Sequence, residues 1–445
     1  MKQKKPTCLI GLDLGTSAVK GVRTDLRGNV LAEAAVDTCL LHPRSGWVEA
    51  DPEQHYRKVC RVIRELAAGA GGEVAALAMA AASGNTLLTD SAGVPLSNII
   101  NWMDQRAEET PPAALAGLDA GTVAQITGWP CLRIFPLAHL AWLRENRPEL
   151  YRRAGHYGMD TDWLLYRLTG RWLMDHSTAA TFQLQDQSAR AYHRPFLEML
   201  NIPPEKLSAL SDSGTAAGPP TAQAMRDTGL QERTVVGTGC FDHPAAARAV
   251  GVLEPGQLML SCGTSWVGFT PHASRQKILD AGLLCDPFLS GRGGPWGGMF
   301  SVPYIGRTID WYIDHVIAPG EENGRRVFNE AAAAARPGAG GLKIDLREAP
   351  RPLAGDRRNV SRAVMEGAAQ LLNEQVRNLA ARGFTFRRAV LVGGPAASPV
   401  WPGIIEAVTG IELAVGSRHA GAEGAALLAG IGAGIYRDVY DAVAR

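Results

Sequence analysis

The chain has 445 residues, of which 46% are hydrophobic and 20% are charged, and its formal net charge is +1. This length allows two or three domains with large buried cores, and the composition is that of an ordinary globular protein. The near-neutral charge argues against a nucleic-acid partner, and the absence of an apolar run of about eighteen residues argues against a membrane span.

The seven cysteines are scattered along the chain without a CxxC pair, which indicates reduced thiols and favours a cytoplasmic protein. The N-terminal run CLIGLDLG is short and contains an acid, so it predicts neither a secretory signal nor a membrane anchor. We therefore expect a cytoplasmic protein whose thiols take no part in metal or redox chemistry.

Strand-like runs alternate with helical periodicity, which is typical of an α/β protein. The predicted strands, in chain order, are residues 7–13, 18–24, 75–81, 257–261 and 389–392. The predicted helices are residues 53–68, 137–145, 361–381 and 421–433. Tight turns separate the first strands, so we expect the first sheet to open with antiparallel hairpins.

One sequence pattern occurs twice. CLIGLDLGTSAVKGV near the start and GQLMLSCGTSWVGF from Gly256 each contain a β-rich run, Gly-Thr-Ser and a second β-rich run. The two triplets lie 248 residues apart, about half the chain, which suggests two related lobes. We predict an N-terminal domain of residues 1–250 and a C-terminal domain of residues 251–445. The alternative is that both triplets are ordinary hairpin turns.

The first hairpin offers the groups that phosphoryl transfer needs, namely phosphate-binding donors and a holder for a cation. Asp13 ends a strand, and Gly15 lets backbone N–H groups approach phosphate oxygens. Thr16 and Ser17 add hydroxyl donors. An unpaired acid in an apolar run is costly, so Asp13 should have a partner, and Mg²⁺ beside a nucleotide is the natural one. The alternatives are that Asp13 caps its own turn and that Lys20 is a solvated strand residue rather than a phosphate contact.

The second hairpin lacks the acid but keeps the donors in Gly263, Thr264 and Ser265. Facing the first turn, it would hold the polyphosphate from the other side of a cleft. Just before this hairpin, Asp242 stands at the head of an alanine-rich helix, where the helix dipole favours an acid. We predict that Asp242 is the base that accepts the proton of an attacking hydroxyl, and the alternative is that it caps the helix.

A glycine-rich turn follows a later strand. Gly393 and Gly394 come directly after AVLV and precede Ser398. Such a strand-to-helix turn leaves room for a ribose or a flat base against the backbone. Alone this signal is weak, because glycine turns occur in most α/β folds.

Together these segments resemble the FGGY family of carbohydrate kinases, from residue 8 to residue 436. Besides GLDLGTSAVK, the matching segments are, in order, GWVEADPE, SNIINWMDQR, TDWLLYRLTG, MDHSTAATFQLQD, GTGCFDHPAAA, SCGTS, VMEGAAQLL, LVGGPAASPVW and AGAEGAALLAG. None of these motifs is decisive alone, but ten in the right order and spacing are very specific.

The resemblance implies an α/β, actin-like fold of two ribonuclease-H-like domains with a central cleft that closes over ATP and Mg²⁺. It implies that Asp242 is the catalytic base and that Asp13 and Asp242 are the metal-associated acids. The implied nucleotide contacts are Asp13, Gly15, Thr16, Ser17, Lys20, Gly263, Thr264, Ser265, Gly393, Gly394 and Ser398. The implied substrate contacts are Ser83, Gly84, Asn85, Trp102, Asp104, Arg106 and Asp242. The alternative for one segment is that Asp104 and Arg106 pair with each other and that Trp102 belongs to the core.

The sequence departs from the family pattern at three places. Pro395 stands where the adenosine loop usually has a third glycine, and His139 stands where lysine is common. The sequence stops at Arg445, earlier than in many members. The loop of residues 82–85 matches neither glycerol kinases nor xylulose kinases, so the acceptor stays open.

We therefore predict an ATP-dependent kinase that phosphorylates a hydroxyl of a ketose, sugar acid or polyol. Its expected partner is a small carbohydrate, and a homodimer is one option for its assembly. One alternative is a degenerate member that senses sugar or nucleotide without phosphoryl transfer. Another is an actin-like ATPase, which the W-x-D-x-R segment and Asp242 argue against.

Overall fold

The structure is a computed structural model that describes residues 7–69, 72–263, 265–303, 305–353 and 355–445. The chain divides into two compact units. The first contains the residues up to Gly251, together with Leu284–Gly294 and Gly421–Arg445. The second contains Val252–Leu283 and Pro295–Ala420. The domain boundary predicted after residue 250 stays a prediction, and by their contacts the two later segments group with the first unit.

The first unit is built on a mixed sheet. Its strands are ordered Ala216–Gly218, Val235–Gly237, Glu73–Ala81, Thr7–Leu14, Ala18–Thr24 and Val30–Asp37, and Cys240–Phe241 also pairs with Glu73–Ala81. The last three strands of this order form antiparallel hairpins, as predicted. Glu73–Ala81 runs parallel to Thr7–Leu14. The strands predicted at residues 7–13, 18–24 and 75–81 are confirmed to within two residues.

Thr7–Leu14 is buried on both faces, which explains its nearly continuous apolar sequence. Its even-numbered apolar residues share a core with helix Pro52–Ala68. The opposite face receives helix Ala420–Gly432 at Gly11, where a Cβ atom would overlap the carbonyl oxygen of Ala422. Because Gly11 has no side chain, the helix can approach the strand closely, and this packing places Gly421–Arg445 in the first unit.

The second unit contains a sheet with the same plan. Five consecutive strands of this sheet are ordered Trp296–Val302, Trp266–His272, Gln257–Cys262, Arg388–Gly393 and Glu412–Val415. The first three are antiparallel neighbours and the last two continue the sheet in parallel. The first unit has the same order and directions from Val30–Asp37 through Val235–Gly237. The two Gly-Thr-Ser triplets therefore follow equivalent strands, as the sequence repeat predicts.

The remaining elements surround the two sheets. The helices of the first unit are Pro52–Ala68, Arg106–Glu109, Ala120–Thr127, Pro136–Asn146, Pro148–Arg153, Asp160–Thr169, His176–Phe182, Arg194–Leu200, Ala222–Thr228, Asp242–Ala249, Ala420–Gly432 and Val439–Val443, with short 3₁₀ turns at Ala113–Leu115, Pro204–Lys206 and Ser290–Arg292. Its short strands are Glu49–Ala50, Leu87–Thr89, Ile99–Ile100, His156–Gly158, Leu173–Asp175, Gln185–Asp186, Ala191–Tyr192, Ala209–Ser211 and Leu284–Asp286. The second unit has α-helices Arg275–Asp280, Ile305–Tyr312, Gly324–Ala333, Arg357–Ala380 and Trp401–Thr409, a π-helix at Ile313–Ile317, and 3₁₀ turns at Ala339–Gly341 and Gly394–Ala397. Within the described ranges, none of these helices has the length and apolar character that crossing a bilayer requires.

Candidate active site

The sheet of the first unit brings Asp13 and Asp242 to one edge. On the central strand Glu73–Ala81, Ala80 lies opposite Asp13 on one side and opposite Cys240 on the other. Both flanking strands run parallel to the central one, so their carboxyl ends meet at the same edge of the sheet. Asp242 begins helix Asp242–Ala249 directly after the second of these strands. The two acids, 229 positions apart in sequence, are therefore neighbours in the fold.

The electrostatics of Asp13 reflect this neighbourhood. Burial and then the negative charge of Asp242 raise the pKa of Asp13 to about 7, while the charge of Lys20 lowers it. Lys20 lies directly opposite Asp13 in the antiparallel register, so both side chains point to the same face. The start of helix Ala420–Gly432 closes this face, since a Cβ atom on Gly421 would lie 2.8 Å from Asp13 Oδ2.

Asp242 is three-quarters buried, and burial raises its pKa, while the nearby His243 lowers it. The backbone N–H of His243 donates to Asp242 Oδ1 at 2.7 Å, which orients the carboxylate. The N-cap position is occupied by Phe241, whose side chain makes no capping hydrogen bond. Catalytic bases are often carboxylates whose pKa is raised by burial, so Asp242 stays a candidate for that role.

The Gly15–Ser17 turn is held tightly. The N–H of Gly15 donates to the carbonyl oxygen of Ala18 at 3.1 Å, and the N–H of Thr38 donates to the carbonyl oxygen of Ser17 at 2.9 Å. The indole Nε1 of Trp102 donates to Thr16 Oγ1 at 3.0 Å. This last bond joins the predicted phosphate turn to the W-x-D-x-R segment.

The predicted substrate loop lies beside this turn. Gly84 has a φ of +104°, and a Cβ atom there would overlap the ring of Phe135, so the position requires glycine. Asn85 Oδ1 accepts the backbone N–H of Trp102 at 3.0 Å. Ser83 is buried, and its hydroxyl has no hydrogen-bond partner among the described residues. The loop thus contains the buried hydroxyl of Ser83 and packs at Gly84 against the ring of Phe135.

Asp104 and Arg106 pair with each other, which is the alternative that the sequence left open. Arg106 Nε donates to Asp104 Oδ1 at 2.7 Å, and both side chains are at least 96% buried. Arg106 also bonds to Glu49 Oε1 at 2.7 Å and stacks over the Trp47 ring at 3.8 Å. The buried pair thus braces the loop that carries Trp102, and a contact of either residue with the substrate stays a prediction.

In the second unit, two glycine turns lie side by side. Cys262 is opposite Gly393 in a parallel register, so the turns that follow both strands emerge at one edge. The N–H of Gly263 donates to the carbonyl oxygen of Ser265 at 3.1 Å, and Gly393 has a φ of +89°. Thr264 lies outside the described residues.

The adenosine loop continues into a 3₁₀ turn at Gly394–Ala397. Pro395 occupies the first turn of this helix, where its missing N–H would have no intrahelical partner. Ser398 Oγ donates to Asn329 Oδ1 at 2.6 Å and accepts the N–H of Trp401 at 3.3 Å. Ser398 therefore anchors the helix that follows the loop, and its hydroxyl is engaged within the protein.

A polar pocket in the first unit was not predicted from the sequence. His55, Lys58 and Asp160 line it together with Gly15 and Asn85. His55 comes from helix Pro52–Ala68 and Asp160 from the start of helix Asp160–Thr169, so no local pattern joins them. The signal available in the sequence was a histidine two residues after GWVEADPE and an acid directly before TDWLLYRLTG.

The acids of the first unit fit Mg²⁺ in the manner that this ion prefers. Among the described residues, no group of three or more His, Cys, Asp or Glu side chains could by itself hold a metal ion. Mg²⁺ beside a nucleotide usually keeps several waters and takes one or two carboxylates plus phosphate oxygens. The Asp13–Asp242 pair, in which burial and then the charge of Asp242 raise the pKa of Asp13, would be such a carboxylate set.

Two units with the same five-strand order, an acid at the sheet edge of one and glycine turns at the edges of both, define the class of two-domain, actin-like phosphotransferases. The family then follows from comparison. The chain belongs to the FGGY family of carbohydrate kinases, because the model of that family's N-terminal domain matches residues 8–249.

The chain is 28% identical to the autoinducer-2 kinase of Yersinia enterocolitica, over 96% of this chain and 87% of the relative. Two solved structures from Lactobacillus acidophilus, a ligand-bound xylulose kinase and a gluconate kinase, superpose with TM-scores of 0.87 and 0.86 at 21% identity. Each comparison covers 98% of this chain and 91% of the other. At this identity the likeness concerns the fold, and it confirms the predicted pair of ribonuclease-H-like domains.

Proposed function

We propose that this carbohydrate kinase transfers the γ-phosphoryl group of ATP to a hydroxyl of a small carbohydrate, with Asp242 as general base. The observation that carries the proposal is the meeting of Asp13, Asp242 and the Gly15–Ser17 turn at one sheet edge. Phosphoryl transfer needs little covalent chemistry from the protein, and positioned charges and donors supply most of the rate.

In the proposed mechanism, the turn donates backbone and hydroxyl hydrogen bonds to phosphate oxygens. Asp242, held by the N–H of His243, accepts the proton of the acceptor hydroxyl as that oxygen attacks phosphorus. Trp102, fixed through Thr16 and Asn85, keeps the acceptor loop in register with the turn.

Asp13 and Asp242 would hold Mg²⁺ at this edge, through water or directly. When bound, the ion neutralises charge on the transferring phosphoryl group. Lys20, opposite Asp13, adds a positive charge on the same face. In the second unit, we propose that Gly263, Ser265 and the Gly393–Gly394 turn, which emerge at one sheet edge, are nucleotide contacts.

The names of the relatives suggest which acceptors should be tested first. The curated relative is named for autoinducer-2, and the structural neighbours are named for xylulose and gluconate. We propose a small polyhydroxylated ketone or polyol, with the autoinducer-2 type of compound first among the candidates. All seven cysteines are free thiols, which fits our proposal of a cytoplasmic enzyme.

The test is an acceptor panel with the purified full-length protein. ADP release would be followed with Mg·ATP and pentuloses, hexuloses, polyols, sugar acids and autoinducer-2, and the phosphorylated position would be read by ³¹P and ¹³C NMR. We expect ADP release to depend on one acceptor class. ATP binding without transfer across the panel would favour the sensing alternative, and hydrolysis without any acceptor would favour an ATPase.

A further inference from the structure

The polar pocket of the first unit contains buried groups that the mechanism above does not use. It encloses about 480 Å³, counting the part open to solvent, and it adjoins Gly15 and Thr16 of the phosphate turn. On its wall, the side chain of Asp160 is 7% exposed and that of His55 is 11% exposed. Polar groups so deeply buried are costly unless they are hydrogen-bonded.

Asp160 has one satisfied oxygen and one that lacks a partner. Asn85 Nδ2 donates to Asp160 Oδ2 at 2.8 Å. Asp160 Oδ1 and His55 Nε2 have no hydrogen-bond partner among the residues that the structure describes. His55 Nε2 lies 3.8 Å from Asp160 Oδ2, which is too far for a direct hydrogen bond. One hydroxyl oxygen between them could accept from His55 and donate to Asp160.

The charges of the pocket restrict what can enter it. Burial raises the pKa of Asp160 and His55 lowers it, while burial lowers the pKa of His55. Asp51 adds a second carboxylate to the wall and Lys58 adds one ammonium group. A carboxylate group of a ligand placed against Asp160 would meet a like charge in a desolvated site. A neutral hydroxyl could instead bond to both side chains without adding a like charge.

We propose that His55 and Asp160 bind a hydroxyl of the carbohydrate acceptor other than the one phosphorylated, so that the enzyme selects neutral polyhydroxylated acceptors over sugar acids. The inference rests on the proposed function, because it assigns this pocket to the acceptor of that reaction. Asn85 links the pocket to the reaction edge, since its two amide ends bond Asp160 and the backbone N–H of Trp102.

The experiment combines removal of single hydroxyl groups from the acceptor with substitution of the pocket residues. The best acceptor and its series of monodeoxy analogues would be assayed with the wild-type enzyme and with Asp160→Asn, His55→Leu and His55→Gln. For one hydroxyl, we expect its removal to lower wild-type kcat/KM by about 10- to 100-fold, the usual loss when a bond to a charged group is deleted. His55→Leu and Asp160→Asn should lower kcat/KM for the full acceptor similarly and show little further loss with that one analogue.

The conservative variant and a matched acid distinguish recognition from structural damage. His55→Gln keeps a donor and should recover part of the activity that His55→Leu loses, with KM for ATP unchanged in all variants. Asp162 is a buried acid on the same helix, and its oxygens are already satisfied by Met159 N–H at 2.7 Å and Ser208 Oγ at 2.6 Å. Asp162→Asn should lower thermal stability without altering the preference among deoxy analogues.

Each outcome decides a separate claim. If the wild-type enzyme phosphorylates a neutral acceptor but no analogue couples to His55 or Asp160, the pocket holds a structural water and the inference is wrong. A sugar acid used as well as its neutral counterpart would also overturn it. If the wild-type enzyme phosphorylates no acceptor at all, the proposed function fails, and this inference fails with it.

Discussion

The two sheets share one strand order but carry different groups at equivalent positions. Asp13 and Ser261 each stand two residues before the glycine of a Gly-Thr-Ser turn. Asp13 lies opposite Lys20 in the hairpin, and burial and then the charge of Asp242 raise its pKa. Ser261 instead lies between Val267 and Val392 on the neighbouring strands. The common frame therefore supplies two similar turns, and only the first unit adds acids to its turn.

A second pair of equivalent positions shows how each sheet is covered. Gly11 stands two residues before Asp13, and its counterpart Met259 stands two residues before Ser261. A helix backbone packs directly on Gly11, whereas the side chain of Met259 is fully buried in the second unit. The close approach at Gly11 brings the N-terminus of helix Ala420–Gly432 beside Asp13, so packing and chemistry are linked in the first unit only.

Among the changes that test this comparison, replacing the proposed base Asp242 should have the largest effect. We expect Asp242→Asn to lower kcat by roughly two to four orders of magnitude, the usual contribution of a positioned base, with the Kd for ATP nearly unchanged. Steady-state kinetics and calorimetry would measure the two. Asp119→Asn is the matched control, because Asp119 is an exposed N-cap acid that bonds Thr122 N–H, and an asparagine can keep that bond. Equal losses in both variants would contradict the assignment.

Substitutions at the equivalent positions Asp13 and Ser261 test whether the two turns have different roles. We expect Asp13→Asn to lower kcat/KM by about 10- to 100-fold and to weaken the response to Mg²⁺, as for residues that orient a metal through its waters. Ser261→Ala should change kcat/KM by less than about threefold, because Ser261 has no charge to contribute. Titrations of initial rate against Mg²⁺ would measure both. Comparable losses would show that the two turns do the same work.

The packing on Gly11 and the packing around Met259 can be compared through the free energy of unfolding. We expect Gly11→Ala to lower the free energy of unfolding by about 1–3 kcal/mol or more, because the helix backbone at Ala422 must move. Met259→Leu conserves volume and should cost less than about 1.5 kcal/mol. Urea unfolding followed by fluorescence would measure both changes. A larger loss from Met259→Leu would show that the close packing at Gly11 is not a special constraint.

Acid should selectively weaken the first unit through His139. This histidine is fully buried beside Thr86, and burial lowers its pKa from 6.5 to about 4. The unfolded chain therefore binds a proton that the folded chain refuses, and stability falls as the pH drops from about 6.5 toward 4. Between pH 8 and pH 5 this histidine should cost about 2 kcal/mol, and His139→Gln should remove that part of the pH dependence. Urea midpoints at the two pH values test this, and identical losses in both proteins would contradict it.

The strands and the repeat were predictable because their signals are local. Apolar runs ending in Gly-Thr-Ser located both hairpins, and the structure confirms Ala18–Thr24 with the predicted bounds and Gln257–Cys262 to within a residue. The head of helix Asp242–Ala249 was also predicted correctly, because an acid before an alanine-rich run is a local signal.

What the sequence could not show depends on contacts between distant residues. Gly421–Arg445 belongs to the first unit because its helix packs closely on Gly11. A glycine in the sequence does not by itself predict such a contact. The pairing of Asp104 with Arg106 was foreseen as an alternative because the two are close in sequence. His55 and Asp160 stand 105 positions apart, and only the fold shows that both line one pocket.

The central claim, that Asp242 removes the proton from the acceptor hydroxyl, is tested most directly by changing the acidity of that hydroxyl. The wild-type enzyme and Asp242→Asn would be compared on the best acceptor and on an analogue with fluorine next to the reacting carbon, under single-turnover conditions. A more acidic hydroxyl needs less help from a base, so the account predicts a smaller loss in the variant with the fluorinated acceptor. The same loss with both acceptors would contradict it.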